Sequence, residues 1–450
     1  MKKNYLEHFI KNSVFFLFLL SPVLELLDGF LILTLHFPYF GPLISALFLL
    51  LPLFLILYLP SEKGHLFLCF FVFILTHMFL RLTRINISAE AILFELKYTS
   101  RSILIMLSVI LFINTLHIKK AGYLFKRYFL IQWIVITIAI VLHATLGFGG
   151  VKYGYSGLVR PGYNSYYESG NQLAFFYTTS WWVVASLTLG SLQSGRLRLF
   201  LQTIITFLTL TILFAIGTKT GVALTILMIV FFLLKKLYDA SRIIFAFTAI
   251  TAVASTIFLF INFELCINFV ADVFFKYSSR SDRLAQSINT YGILTALVSQ
   301  RNYFVSHALE AISNYNIKDL FIGATFYTYK KAVGTHLDTR DIRMAEVDPI
   351  DLLGGVGILG VLTVYLPILW IFIQLIKKRK HAVRTSEFLG NSNLPISILG
   401  VLLIGVLSSS MSGHVTIGPS PMMCLGLTLA MAWHLIRAGS SDSLFLSKIV

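Results

Sequence analysis

Charge is what this chain most lacks. Only 12% of its 450 residues are Asp, Glu, Lys or Arg, while 57% are apolar and the mean hydropathy is +0.82. That balance lies far outside the range of soluble globular domains and reads as a polytopic membrane protein. Cysteine is nearly absent, and Cys69, Cys266 and Cys424 stand far apart within or beside apolar runs. This spacing suggests neither a disulfide framework nor a thiolate metal site, so the three read as packing residues. Acidic residues are also few, 20 against 36 basic ones, for a net charge of +16. With no basic patch on a soluble domain, that excess points to cationic membrane loops and away from nucleic acid. No internal repeat is present, which removes one pointer to a secondary transporter. The first apolar run carries no small-residue cleavage signature and is expected to be a retained helix.

What the chain has in quantity is apolar runs of the length a bilayer requires, about 20 residues each. They fall near 13–34, 40–59, 64–81, 101–118, 128–147, 171–192, 199–216, 219–234, 243–264, 349–376, 394–411 and 415–436. Twelve spans put both termini on one side. Lys and Arg near span ends are retained in the cytoplasm, and with cytoplasmic termini more than half of the 36 basic residues fall inside. The loop from Arg81 to Arg101, with four basic residues outside, is the exception and is expected to be partly re-entrant or amphipathic. The chain therefore divides into a span region 1–264 with an outer loop near 148–170, a long outer segment 265–345, and a final span region 346–450. In that segment "LTALVSQRNYFVSHALEAI" has helical spacing, so Leu294, Leu297, Tyr303, Phe304, Leu309 and Ile312 face either the bilayer surface or the spans.

This topology gathers the polar constellations on one face. Arg160, Glu168, Asn171 and Gln172 precede span six; Lys219 lies in the hairpin "GTKTG"; Arg301, His336, Arg340, Arg343, Glu346, Asp348 and Asp351 belong to the long segment or the start of span ten; His414 lies in "MSGHV". Each has a plain structural reading. An arginine at a span end is more often bound to headgroups than to a ligand, Lys219 reads as a snorkelling lysine, and His414 as a turn histidine. Asp348 can serve as the N-cap of span ten, with Pro349 at the first helical position. The acidic run "EVDPID" is harder to dismiss, because carboxylates at a span end are costly unless cations or water meet them. Within the first span, Glu25 and Asp28 share a helix face, either as a satisfied buried pair or as a proton relay.

These motifs carry a resemblance. "RPGYNSYYESGNQLA" resembles the outer loop of the bacterial O-antigen polymerase and ligase superfamily, and "GTKTGVALTI" is similar to its hairpin opening a span. "LVSQRNYF" resembles the family's "SGR" element with Gln300 where glycine is usual, and "LFIGATF" its following turn with Ala324 as a second departure. "EVDPIDLLGGVGILG" resembles the polymerase-type start of a late span, and "MSGHVTIGPS" the family's "GH....P" loop. The elements keep the family's order over roughly 155–425.

The resemblance implies a Wzy-type polymerase of GT-C-like, O-antigen ligase/polymerase architecture in the cytoplasmic (inner) membrane. It implies that undecaprenyl-pyrophosphate-linked repeat units are joined at the outer face, with no metal or cofactor. The lipid bilayer, a chain-length regulator and a flippase of the same pathway are the implied partners, and no nucleic acid. A diphosphate leaving group calls for fixed cations, and Arg160, Arg301 and Lys219 are the candidates. A sugar hydroxyl attacking the anomeric carbon must lose a proton, for which Glu346 is the first candidate base and His414 the second. Asp348, Asn171 and Glu168 are assigned to position sugar hydroxyls or the clamp, His336 and Arg340 to bind substrate, and Tyr163, with Tyr166 and Tyr167, to stack on sugar rings. The alternatives are a ligase passing glycan to lipid A core or protein, and a transporter. The ligase is disfavoured because Glu346 and Val347 stand where a ligase is expected to carry an "H.N" pattern, and the transporter because ionisable residues within the spans are few.

Overall fold

Backbone amides in hydrocarbon must be satisfied within their own segment, so long apolar runs fold as helices. A computed structural model describes residues 2–36, 89–115, 118–149, 163, 165–167, 170–188, 192, 194–240, 301–336, 345–389, 392–413, 415 and 419–438, and among them helix dominates with no strand. Numbered among the described residues, the helices are α1 (Lys2–Leu35), α2 (Ala89–Thr115), α3 (Ile118–Leu146), α4 (Gly170–Val183), α5 (Gly195–Ile216), α6 (Lys219–Ala240) and α7 (Arg301–Ser313). They continue with α8 (Ile317–Ile322), α9 (Phe326–His336), α10 (Asp348–Lys377), α11 (Arg379–Phe388), α12 (Leu394–Ser412) and α13 (Pro419–Ala438). By length and composition α3, α5, α10 and Leu394–Met411 of α12 are long and apolar enough to cross a membrane, and Thr220–Leu233 of α6 is a shorter apolar stretch. This is an all-α membrane protein. The runs expected at 40–59, 64–81 and 243–264 lie outside the described residues, as do Leu294 and Leu297.

α4 is the axis of the bundle. From Leu173 to Val184 every side chain is buried, the signature of a helix surrounded by other helices. With no hydrophobic drive between helices in lipid, polar contacts and close packing join them. Ser180 donates to Gln132 of α3 (2.9 Å), Trp181 Nε1 to Thr206 of α5 (3.0 Å) and Trp182 Nε1 to the Ser397 carbonyl of α12 (3.2 Å). The helix then widens into a π-turn over Val184–Thr188, where Ser186 and Ser397 hydroxyls meet at 2.7 Å. α2 packs on α13 where Gly426 lies against the Ser108 side chain and the Ile105 backbone, an approach only a small residue allows.

These contacts fix which helix ends lie together. Trp182, late in α4, meets Ser397, early in α12, so the two helices run antiparallel and the start of α4 lies at the same end as the close of α12. α7, α8 and α9 gather at that end around a small core of Ala308, Ala311, Ile312, Tyr329, Val333 and Ala345, separate from the main core. Phe304 and Ile312 turn inward there, while Tyr303 and Leu309 are exposed.

α2 begins earlier than the apolar run at 101–118 suggests. From Ala89 it is already helical, so Ala89–Arg101 is nearly the first half of a helix that continues to Thr115, with Glu95 fully buried. Glu95 accepts from Thr99 Oγ1 (3.1 Å) and from the Tyr327 N–H in the first turn of α9 (3.3 Å). A carboxylate at a helix N-terminus is electrostatically favoured, and this one docks α9 onto α2.

Candidate functional site

Three separated sequence motifs meet at the end of α10. Arg301 is the first described residue of α7, and its guanidinium lies 3.9 Å from the Glu346 carboxylate. That distance exceeds hydrogen-bond reach, so the two are electrostatic neighbours and not a bidentate pair. Arg301 is largely enclosed, 13% exposed, whereas the Glu346 side chain is 44% exposed. The third motif is the turn after α12. Gly413 has φ +63 and packs so closely on the Glu346 backbone that a Cβ there would collide with its carbonyl, and the Val415 N–H donates to Asp348 Oδ2 (2.8 Å).

The acidic run has a strict division of labour. Asp348 and Asp351 are buried. Asp348 is not the N-cap of α10: Val347 occupies that position without a side-chain cap, and Asp348, as the first helical residue, holds the 413–415 turn instead. Asp351 Oδ1 accepts both the Tyr329 hydroxyl (2.9 Å) and the Ala345 N–H (2.9 Å). Burial, with Asp351 beside it, pushes the Tyr329 phenol well above its ordinary range, so it stays a donor. Held between Ala345 and Val347, Glu346 adopts φ +57, a left-handed conformation costly for a side-chain-bearing residue. Of the three carboxylates, Glu346 alone is both exposed and facing a cation.

Glycines seat this corner on α9. The rings of Tyr329 and Phe326 lie where Cβ atoms on Gly354 and Gly355 would be. Gly357, φ +71, interrupts α10, and the carbonyls of Gly354 and Gly355 receive the N–H groups of Ala324 and Thr325 (3.2 and 3.1 Å). Carbonyls freed by a break in a helix need new donors, and the "GAT" turn supplies them.

The loop residues Tyr163 and 165–167 form a second polar group at the same end of the bundle. Tyr163 donates its N–H to the Ala215 carbonyl (3.0 Å) and stands edge-on to His143, its centroid 5.2 Å away. Ser165, φ +49, donates its N–H to His143 Nδ1 (2.8 Å). The Tyr166 backbone rests on Gly29 of α1 and its ring on Phe30, so Tyr166 and Tyr167 are buried while Tyr163 is 41% exposed. Burial and nearby Glu25 push the Tyr167 phenol up. Asn171 is half-buried in the first turn of α4. The "GTKTG" hairpin closes on the same helix: Gly217, φ +78, caps α5, and the Gly221 carbonyl accepts from Thr178 and Thr225.

Arg160, Glu168, Arg340, Arg343 and His414 lie outside the described residues, and for Lys219 and His336 only the backbone is described, at the first residue of α6 and the last of α9. Among the described residues no group of three His, Cys, Asp or Glu side chains could hold a metal ion. Tyr329, Glu95 and His143 were not singled out from the sequence; each sits within helical spacing that marks a helix but gives no sign of a partner on a distant one. No family model matches the chain, and no curated protein matches it significantly.

Proposed function

We propose that this chain is a lipid-pyrophosphate-dependent glycosyltransferase of the Wzy type, joining oligosaccharide repeat units into a bacterial surface polysaccharide. The observation that carries the reading is the meeting of Arg301, Glu346 and the Gly413–Val415 turn at one end of an apolar helical bundle. In the proposed topology twelve spans hold both termini in the cytoplasm, 265–345 is the long outer segment, and this end faces away from the cytoplasm.

In the reaction, a hydroxyl of the incoming repeat unit attacks the anomeric carbon of the lipid-linked chain. The new carbon–oxygen bond forms as the bond to the diphosphate breaks, and the electron pair leaves with the lipid diphosphate. Arg301, with Arg160 and Lys219, meets the developing negative charge; a guanidinium grips phosphate oxygens in pairs, and a fixed cation in an enclosed site is worth more than one in water. The hydroxyl proton passes to the Glu346 carboxylate, which is solvent-accessible and held in place by its own backbone. Asp348 and Asp351 are occupied by backbone and phenol donors, so they are positioning groups.

The reading is tested in a deletion strain complemented with variants. Arg301→Ala and Arg160→Ala should leave the protein in the membrane and the strain with single lipid-linked repeats in place of long chains. Unligated polymer in its place would mark a ligase.

A further inference from the structure

α8 exposes apolar residues where water-soluble surfaces rarely do. Ile317 is 77% and Phe321 50% exposed. Four residues apart, they share one face of the helix. Along the edge of that face Leu320 packs into the small core beneath α7 and α9, and Asn316 caps the helix by accepting the Asp319 N–H on its side chain.

Where that face lies follows from α10. This helix has 30 residues, about 45 Å at 1.5 Å each. Its break at Gly357 divides it into Asp348–Gly357, about 15 Å, and Ile358–Lys377, about 30 Å, the thickness of a hydrocarbon core. The second part carries an exposed stripe of Leu359, Leu362, Leu366, Leu369, Ile373 and Ile376, spaced as a lipid-facing surface should be, and ends at Lys377 and Lys378. α8 meets α10 at the break: the Phe321 carbonyl and Gly323 nitrogen lie against Gly357. Its exposed face therefore stands at the level where the leucine stripe begins, the upper edge of the hydrocarbon.

We infer that α8 lies in the interfacial plane of the bilayer, with Ile317 and Phe321 inserted among the acyl chains just below the headgroups, so that phospholipid covers this face. Lys318, Asp319 and Asn314 supply its polar side. On the proposed function, Glu346 and Arg301 then stand one α10 segment, up to about 15 Å along the helix, above the hydrocarbon, on the side toward which a lipid-borne diphosphate and its sugars project; that part rests on the polymerase reading, whereas the lipid contact does not.

The test is spin-label depth measurement on full-length protein with its three native cysteines replaced by alanine, reconstituted in phosphatidylethanolamine–phosphatidylglycerol vesicles. Labels enter singly at Ile317→Cys and Phe321→Cys, with Leu366→Cys as the lipid-facing reference and Lys331→Cys as the water-facing one; two sites guard against one substitution disturbing α8. Oxygen should reach both α8 labels more readily than nickel ethylenediamine diacetate does, at a depth of about 5–10 Å, shallower than Leu366. Nickel-chelate access equal to that at Lys331 would put the face in water, and protection from both reagents would put it under protein; either overturns the inference. Polymer formation by the same samples reads the enzymatic proposal separately.

Discussion

Glu346 combines a strained backbone with an exposed carboxylate, and the two can be separated by substitution. Glu346→Gly relieves a left-handed conformation worth about 1–2 kcal/mol to a side-chain-bearing residue and removes the carboxylate. Its thermal midpoint in detergent should be unchanged or higher while polymer synthesis is lost; wild-type turnover in this variant would remove Glu346 from the chemistry. Arg301 is expected to tolerate even a conservative change poorly. Arg301→Lys keeps the charge and loses the planar fork, so turnover should fall about 10²-fold, close to the loss in Arg301→Ala. Tyr329→Phe leaves the buried Asp351 one donor short, at a cost of about 1–3 kcal/mol. Because both groups act on Ala345 and Glu346 as a unit, combining it with Asp351→Asn should cost less than the two single losses together. The phenol's raised pKa leaves stability intact below pH 10 and erodes it above, as the unfolded chain ionises first, so Tyr329→Phe should also show a shallower alkaline limb.

At the scale of elements, α10 is the most informative. Gly357 within it and Gly122 in α3 differ in what a methyl group would meet, and the difference predicts opposite signs. Gly357→Ala forces a side chain onto φ +71 and into the Gly323 and Phe321 backbone, so it should destabilise by more than about 2 kcal/mol and loosen α8. Gly122→Ala in α3 meets only a Met431 methyl at 3.7 Å and should be neutral or stabilising by up to about 1 kcal/mol. Thermal unfolding of the two variants side by side checks both. The helices themselves were legible in the sequence because run length and apolar content decide them: α5, α10 and α12 fall where the runs fall, and α3 starts ten residues ahead of its run. α2 was legible only from Arg101 onward, since Glu95, Lys97 and Arg101 in a short stretch read as loop charge. Burial of Glu95 depends on α9, which begins more than 230 residues later, and no local pattern encodes that pairing. "EVDPID" was legible as a site, but not its inner roles: nothing in the run shows that Asp348 serves the 413–415 turn or that Tyr329 answers Asp351.

On the scale of the whole molecule, two features converge on one end of the bundle. The polar groups around Tyr163, Ser165 and His143 and the Arg301–Glu346 corner both stand there, although their residues are drawn from three helices, α3, α7 and α10, and three loops. The antiparallel pairing of α4 with α12, through Trp182 and Ser397, is what sets these two groups at one end. An apolar bundle that brings a guanidinium and an exposed carboxylate together at one end suits a substrate that is part lipid and part sugar. Chemistry at one end also needs no second compartment, unlike transport. The most direct measurement is therefore made with purified protein in detergent, supplied with undecaprenyl-pyrophosphate-linked repeat units alone. The proposal predicts a ladder of products of two or more repeats with release of lipid diphosphate, absent with Glu346→Gln. Substrate recovered only as single repeats by folded wild-type protein would contradict it.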